Sequence, residues 1–359
     1  MLTSTDIIET FLDSGGFTSD DSTVSLNIGS SSNNTDIFTE PGYEGSIDYR
    51  IRQLSYSSML SLHTCPRKYE LYKKRTTSRL EQTQRQSITF AFGHAVGEAI
   101  QLALENVSEK EIIWRMFCNW DTDILAEDTK GQKSFWGAVI ALKRFLSLRE
   151  QGLLSEYELV YHKGKPACEL SFCITFPDGF RYRGFVDAVL RHKNTNKILV
   201  LECKTTGSAA LNPSKFKNSA QAIGYSVVLD VLFPTLSSYD VLYLIYQTPT
   251  KDYISIPFTK TYLQRALWIR ELLLDIEQIK SYEAAGIYPM HGENCYQYAT
   301  ETEKGTGVYS GECEYINSCT MSNSYLVKKA SEADLDTAEY QVNLTLLDLL
   351  ENQLSKLGE

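Results

Sequence analysis

The stretch "ILVLECKTTGS", residues 198–208, begins as an apolar run suited to a sheet interior and then places Glu202 and Lys204 at its end. Charges in such a position are costly to desolvate unless they are paired. Residues i and i+2 of a strand project to one face, so Glu202 and Lys204 point together. A second apolar run precedes them, and "HKNTNK" (192–197) supplies the turn residues of a hairpin joining the two. With the turn centred between Asn194 and Thr195, opposed residues have numbers summing to 389, which sets Asp187 opposite Glu202. Directly opposed residues hold their Cβ atoms about 4.5–5.5 Å apart, and two carboxylates that close repel unless something positive lies between them. A divalent cation meets that need. Mg²⁺ takes oxygen ligands at about 2.0–2.1 Å, is typically held by one or two carboxylates, and keeps positions for water and a substrate phosphate. Lys204 would then orient or help deprotonate an attacking water, or stabilise developing negative charge. The plainer alternative is a hairpin bearing a surface Glu–Lys pair and a cross-strand Asp.

These residues need a sheet with helices around it, and the pattern supplies both. "ACELSFCITF" and "RYRGFVDAVLR" flank the turn signal "PDG", so paired strands are expected at 168–176 and 180–190, with a third at 198–203. Helices are expected over 90–106, 111–126, 134–151, 214–232 and about 259–285, with a strand at 240–248. The last segment, "LDTAEYQVNLTLLDLLENQLSKL", is expected to be one more helix docked on the core. On the helix after the third strand, Gln221 and Tyr225 lie at i and i+4 on one face, where an amide and a phenol could bond a DNA backbone or orient Lys204.

At 359 residues, 43% apolar and 22% charged, the chain has the composition of a soluble globular protein. No apolar run approaches the roughly 18 residues that span a bilayer, so no membrane partner is expected. The start carries Asp6 and Glu9 and no basic region before its few apolar residues, unlike a secretory signal. Eight cysteines without an export signal suit a reducing, cytoplasmic setting, where thiols or metal ligands are expected rather than disulfides. The net charge of −10 is uneven: residues 1–50 carry −8, residues 322–359 carry −4, and the middle is left at +2. We therefore expect an acidic, Ser/Asn-rich flexible segment over 1–50, one main domain over 51–321, and a C-terminal helical extension over 322–359. The densest basic stretch lies in residues 63–85, where Arg67, Lys68, Lys73, Lys74 and Arg75 would suit either a solvated helix face or a phosphate-contacting surface. Tyr69 and Tyr72 in the same stretch would stack on bases or fill the core.

"GFVDAVL…VLECKTT" resembles the Gly-x-x-Asp…Glu-x-Lys core of the PD-(D/E)XK nucleases, and "QAIGY" resembles the Gln-x-x-x-Tyr motif of their RecB-like branch, which includes AddB-type exonuclease domains and CRISPR adaptation nucleases. The resemblance spans roughly Leu54 to Cys319. It implies an α/β fold with a restriction-endonuclease-like core, a mixed central sheet flanked by helices, with helical elaborations at both ends. By matching position it implies that Asp187, Glu202 and the Cys203 carbonyl hold Mg²⁺ or Mn²⁺ and that Lys204 assists hydrolysis. Gln221 and Tyr225 complete the catalytic set. The branch also places a metal-binding His on an upstream helix, but in "FGHAVGEAIQ" Gly97 stands where that His would be. Glu98, directly after it, and His94, one helical turn before Glu98, are the remaining candidates. Glu98 is preferred because a hard cation favours carboxylate oxygen.

The same branch often carries a four-cysteine [4Fe–4S] site, and the matching positions are Cys65 in "HTCPRKY" with Cys295, Cys313 and Cys319. Residues 296–312 separate Cys295 from Cys313, where the related arrangement has only a few, so an inserted loop is expected. Four thiolates would equally hold a structural Zn²⁺, or serve as ordinary buried thiols. Taken together, the expected activity is a metal-dependent deoxyribonuclease, an exonuclease acting on DNA ends or single strands and leaving 5′ phosphates, in recombination, repair or replication. Two other readings differ in kind: a nuclease fold that binds DNA without cutting, and a nuclease subunit working beside a separate helicase or single-strand-binding protein.

Overall fold

A computed structural model describes residues 49–74, 76–78, 88–120, 132–234, 238–291 and 339–356, with short stretches at 299–300, 308–309 and 326–328 and single residues 313, 315 and 319. Most of the expected 1–50 segment lies outside the described residues.

The centre is an eight-stranded mixed sheet. Its strands are β1 (Gln53–Leu54), β2 (Tyr157–Leu159), β3 (Cys168–Thr175), β4 (Arg181–His192), β5 (Ile198–Thr206), β6 (Tyr239–Gln247), β7 (Asp252–Lys260) and β8 (Val342–Thr345). The order is β7-β6-β5-β4-β3-β8, with β1 and β2 also pairing β4. Strands β3 and β4, and β4 and β5, pair antiparallel, whereas β5 pairs parallel with β6. The hairpin register is the expected one: Ala188 faces Leu201 and Arg191 faces Ile198, both sums being 389.

Alternation along β5 divides the core between the two faces of the sheet, as a strand buried on both sides requires. Ile198 and Val200 join one apolar layer, with α6 (Ala220–Leu232), α7 (Tyr262–Ala285) and α8 (Leu346–Ser355). Leu199 and Leu201 join the other, with α3 (Ile88–Leu104), α4 (Glu109–Asn119) and α5 (Phe135–Glu150). Two shorter helices, α1 (Tyr56–Thr64) and α2 (Pro66–Lys74), lead into this framework. Helix starts follow their capping chemistry: Ser55, Ser108, Ser134, Thr261 and Thr345 each accept a backbone N–H of the first turn. Among the described residues no helix is long and apolar enough to cross a membrane.

The C-terminal segment departs from the single helix expected. Val342–Thr345 forms β8, parallel to β3, before α8 begins. Val342 and Leu344 turn inward while Asn343 and Thr345 stay out, a period-two pattern too short to register against the helix that follows. Strand β7 was likewise not anticipated.

Helix α8 is anchored by a buried acid. Asp230 of α6 and Arg265 of α7 are both fully buried, 3.6 Å apart. From α8, Asn352 and Gln353 donate to the same carboxylate at 2.8 and 3.1 Å, and Lys356 pairs with it. Removing one partner of a buried ion pair leaves an uncompensated charge. Asp230→Ala should therefore cost about 3–5 kcal/mol in urea unfolding; a loss below about 1 kcal/mol would mean that the apolar contacts of α8 carry the anchoring alone.

Candidate active site

Strand β5 is buried through Glu202 and half-buried from Cys203 onward, so Glu202 and Lys204 sit where the strand leaves the core. Asp187 faces this point from β4. Its Oδ2 accepts the Cys203 N–H at 2.8 Å. The glycine of the Gly-x-x-Asp segment has a packing reason: a Cβ on Gly184 would lie 2.8 Å from the Phe172 ring. Phe172 is the cross-strand partner of Gly184 and also packs edge-on against Tyr225. Packing at this pair therefore helps fix both β4 and α6 relative to the site.

The side chain of Glu202 is 1% exposed, and neither of its oxygens receives a hydrogen bond of good geometry. The Lys204 ammonium lies 2.6 Å from Oε1. Lys204 donates to Gln221 Oε1 at 3.1 Å, and Gln221 Nε2 donates to Tyr225 Oη at 2.6 Å. The i, i+4 pair on α6 thus orients the lysine. Burial raises the Asp187 pKa, with Glu202 adding to it; burial also raises that of Glu202, partly offset by Lys204. For Lys204, burial disfavours the charge, but Glu202 and Asp187 outweigh it and the pKa ends above its usual value. Lys204 is therefore an ammonium at neutral pH.

A third carboxylate belongs to this row. Cys168 pairs with Ala188 and Leu170 with Val186, which sets Glu169 of β3 across from Asp187. Its backbone is left-handed (φ 46°), and its carboxylate is held by Gln101 Nε2 of α3 at 2.7 Å. The charge of Glu169 reaches both acids and raises them further. The turn "PDG" is centred on residue 178, and the corresponding sum of 356 pairs 169 with 187, so the signal was present in the sequence.

The helix candidates are corrected. On α3, Gly93 faces Thr205 of β5, and a Cβ on Gly97 would meet nothing within 4 Å. Glu98 and His94 instead line a small pocket against α4 with Met116 and Asn119, and Glu98 Oε1 accepts from Asn119 at 2.7 Å. The structure does not bring either residue to the Asp187–Glu202 pair.

The basic stretch also differs from the expected phosphate-contacting surface. Arg67 and Lys74 both pair with buried Glu70, at 2.5 and 2.6 Å, and Lys73 is buried with its ammonium on the Gln53 carbonyl. Lys68 is half-buried, and Arg75 lies outside the described residues. Tyr69 is a core residue bonded to the Ile51 carbonyl, whereas Tyr72 is exposed.

Among the cysteines, Cys65 is buried where α1 ends, and its sulfur accepts the His291 N–H at 3.4 Å. Arg67, two residues on, donates to the Cys319 carbonyl at 3.3 Å, so the Cys65 and Cys319 segments are neighbours. Cys313 and Cys319 are half-buried, and Cys295 lies outside the described residues. Among the described residues no three His, Cys, Asp or Glu side chains gather into a group that could hold a metal ion. The described cysteines alone therefore do not make an iron–sulfur or zinc site. A divalent ion at the nuclease centre would draw on the Asp187–Glu202 pair, the Cys203 carbonyl and water. The donor set fits such an ion: the buried Glu202 carboxylate, contacted by the Lys204 ammonium, and the half-buried Asp187 carboxylate opposite it are the oxygen ligands a hard cation takes.

Because folded-state pKa values of Asp187 and Glu202 are raised, the contribution of these two groups to the stability of the metal-free fold is greatest at low pH. That contribution is lost as pH climbs from the ordinary carboxylate range of about 4 toward the raised values. In chelator, Asp187→Asn should raise the melting temperature at pH 7.5, by the equivalent of about 1 kcal/mol or more, and flatten its decline with pH. Mn²⁺ should raise the melting temperature of the wild type and not of the variant. A variant that melts lower than wild type and still responds to Mn²⁺ would remove Asp187 from the ion site.

No curated protein matches this chain. Among solved structures it is similar to a candidate exonuclease from Eubacterium rectale at 11% identity and a TM-score of 0.40, over 74% of this chain and 94% of that one. It is also similar to the protein SSO0001, at 13% identity and a TM-score of 0.22, over 61% of this chain and 85% of the other. Residues 53–320 match the sequence profile of the PD-(D/E)XK nuclease superfamily, and the matched span holds the β4–β5 hairpin, the acids it opposes and the lysine beside them. The chain belongs to the PD-(D/E)XK nuclease superfamily.

Proposed function

We infer that this nuclease is a Mg²⁺- or Mn²⁺-dependent deoxyribonuclease, an exonuclease that acts on DNA ends or single strands and leaves 5′ phosphates. The observation that carries the reading is the opposition of Asp187 and Glu202, with the charged Lys204 braced by Gln221 and Tyr225. When bound, the divalent ion supplies a Lewis acid for the scissile phosphate and lowers the pKa of a bound water. Asp187 and Glu202 hold and orient that ion. Lys204, being protonated, stabilises negative charge on the phosphate oxygens and positions the attacking water, a role its raised pKa favours over that of a base. The attacking water gives up a proton to solvent as its oxygen bonds to phosphorus, the bond from phosphorus to the 3′ oxygen breaks, and the departing oxygen takes a proton from solvent. Gln221 and Tyr225 act through Lys204. Glu169 supports ion attraction by adding negative charge at the row, with Gln101 as its positioning residue.

Digestion of end-labelled single- and double-stranded DNA, with Mg²⁺, Mn²⁺ or chelator, tests this. Lys204→Ala should lower the rate by about 10²–10³, the scale seen when one transition-state stabiliser is removed. Gln221→Ala should cost less, since water can replace part of its contact. Label release as 5′-phosphorylated products sets polarity and product chemistry. The orientation of Glu98 and His94 away from the acids favours one other outcome, a fold that binds DNA with few ion ligands and does not cut. Wild-type protein that binds DNA without cutting it in either metal would establish that outcome.

The four-cysteine site is part of the same proposal, as a clip between the start of the nuclease domain and the segment after α7. It is supported by the Cys65–Cys319 neighbourhood and by the spacing of Cys313 and Cys319. Anaerobically purified protein should contain iron and sulfide in equal amounts, lost in Cys65→Ser. Zinc in place of iron would reassign the clip, and neither metal would leave these as plain thiols. A separate helicase or single-strand-binding protein as partner is tested by whether digestion of duplex DNA requires one.

A further inference from the structure

The cations that sequence reasoning offered to a DNA strand are turned into the protein at Arg67, Lys73 and Lys74, which leaves that stretch less able to grip a strand. A different surface adjoins the end of β5. There the Lys133 ammonium bonds Thr89 Oγ1 at 2.8 Å, and its side chain reaches within 4.0 Å of where a Cβ on Gly207 would stand. Gly207 is three residues beyond Lys204. Thr206 accepts the Thr248 N–H, and Thr248 in turn contacts Gln132 at 3.2 Å, which ties the start of α5 to this rim.

From the rim, exposed aromatic rings run outward over α3, α4 and α5. Phe90 follows Thr89 and is 65% exposed; Trp136, the second residue of α5, is 70% exposed. Trp136 packs on Phe135 at 5.4 Å, Phe135 on Phe117 at 5.8 Å, and Phe117 on Trp114 at 6.1 Å. Phe117 and Trp114 are themselves 58% and 61% exposed. Trp120 supports the row from behind Phe135. A water-facing row of this kind marks a binding surface.

We propose that this aromatic row is a stacking platform for the unpaired bases of a single DNA strand whose scissile phosphate lies at the Asp187–Glu202 site. The proposal deepens the nuclease reading and rests on it for the position of the phosphate. Three observations select the occupant. The row is continuous with the β5 rim, and a strand held at the site must cross whatever surface borders it. Among the described residues its acids on α4 are paired, Glu111 with Arg115 at 2.8 Å and Glu109 with Lys143 at 3.5 Å, which lessens their repulsion of phosphates. Exposed rings stack on any base, but only on bases that are not already stacked within a duplex. The platform therefore selects single strands, without preference for sequence.

The test uses the full chain in chelator, so that nothing is cut. Binding of fluorescein-labelled oligothymidine and of a duplex of equal length is followed by anisotropy, for wild type, Phe117→Ala, Trp136→Ala and the double variant. Each substitution should weaken single-strand binding about tenfold, within the range found for one base–aromatic stack, and leave duplex binding unchanged. Oligothymidine should also quench wild-type tryptophan fluorescence more than that of Trp136→Ala. Thermal melts verify folding, and the exposure of both rings makes unchanged melting the expected result. Single-strand binding equal to wild type in a normally melting double variant would overturn the proposal. So would loss of self-association on sedimentation with DNA binding intact, which would assign the row to a second copy of the chain. Wild type that binds through these rings but never cuts would remove the nuclease reading and keep the platform; Lys204-dependent cutting indifferent to the rings would do the reverse.

Discussion

Two carboxylates placed opposite one another across an antiparallel pair form the constraint on which the rest of the structure depends. Asp187 and Glu202 would push β4 and β5 apart at that point if both were charged and nothing lay between them. The fold answers on every side. The β4–β5 hairpin is clamped below the acids by four apolar-flanked pairs from Ala188–Leu201 to Arg191–Ile198. The Cys203 N–H holds Asp187, and Lys204 leans on Glu202 with Gln221 and Tyr225 behind it. Further out, Phe172 lies over Gly184 and against Tyr225, so the same ring that fixes the strand also fixes the helix bracing the lysine. On the function proposed above, stability is given up locally to keep a place for a cation.

What could be read from sequence was what local chemistry determines. The register of the hairpin followed from its turn, because a two-stranded pair joined by a short turn has only one alignment that keeps its apolar residues inside. The Glu-x-Lys pair followed from the period of two. Glu169 could have been found by the same arithmetic across "PDG", but its left-handed backbone, which interrupts the alternation of β3, leaves no mark in the sequence. Strand β8 lacked any local signal, since its partner β3 is more than 160 residues away and pairs with it in parallel.

Errors on helices had a different origin. Periodicity shows which residues share a face of α3, but not which face meets the sheet. Residues 93, 97 and 101 form one line, and the contacts of Gly93 with Thr205 and of Gln101 with Glu169 turn that line toward the site. Residues 94 and 98 lie about 100° further round, enough to aim them at α4. Part of the basic stretch, Arg67, Lys73 and Lys74, departed from expectation for the same reason. Seven cations in a short span suggested a surface, but Glu70 is buried among them and draws Arg67 and Lys74 to itself.

The sheet consequently divides the work between its faces. On the side of α6 and α7, Lys204 is held between Glu202 and Gln221, and Gln221 in turn bonds Tyr225, which braces the lysine. On the side of α3, Gly97 has no neighbour that a Cβ would touch, and the rings beyond it face water. An ion and a phosphate need rigid ligands, whereas a strand of changing sequence needs a tolerant surface and room to advance. A site built on β4 and β5, with a braced helix behind and an open one in front, meets both needs without any large movement of the protein.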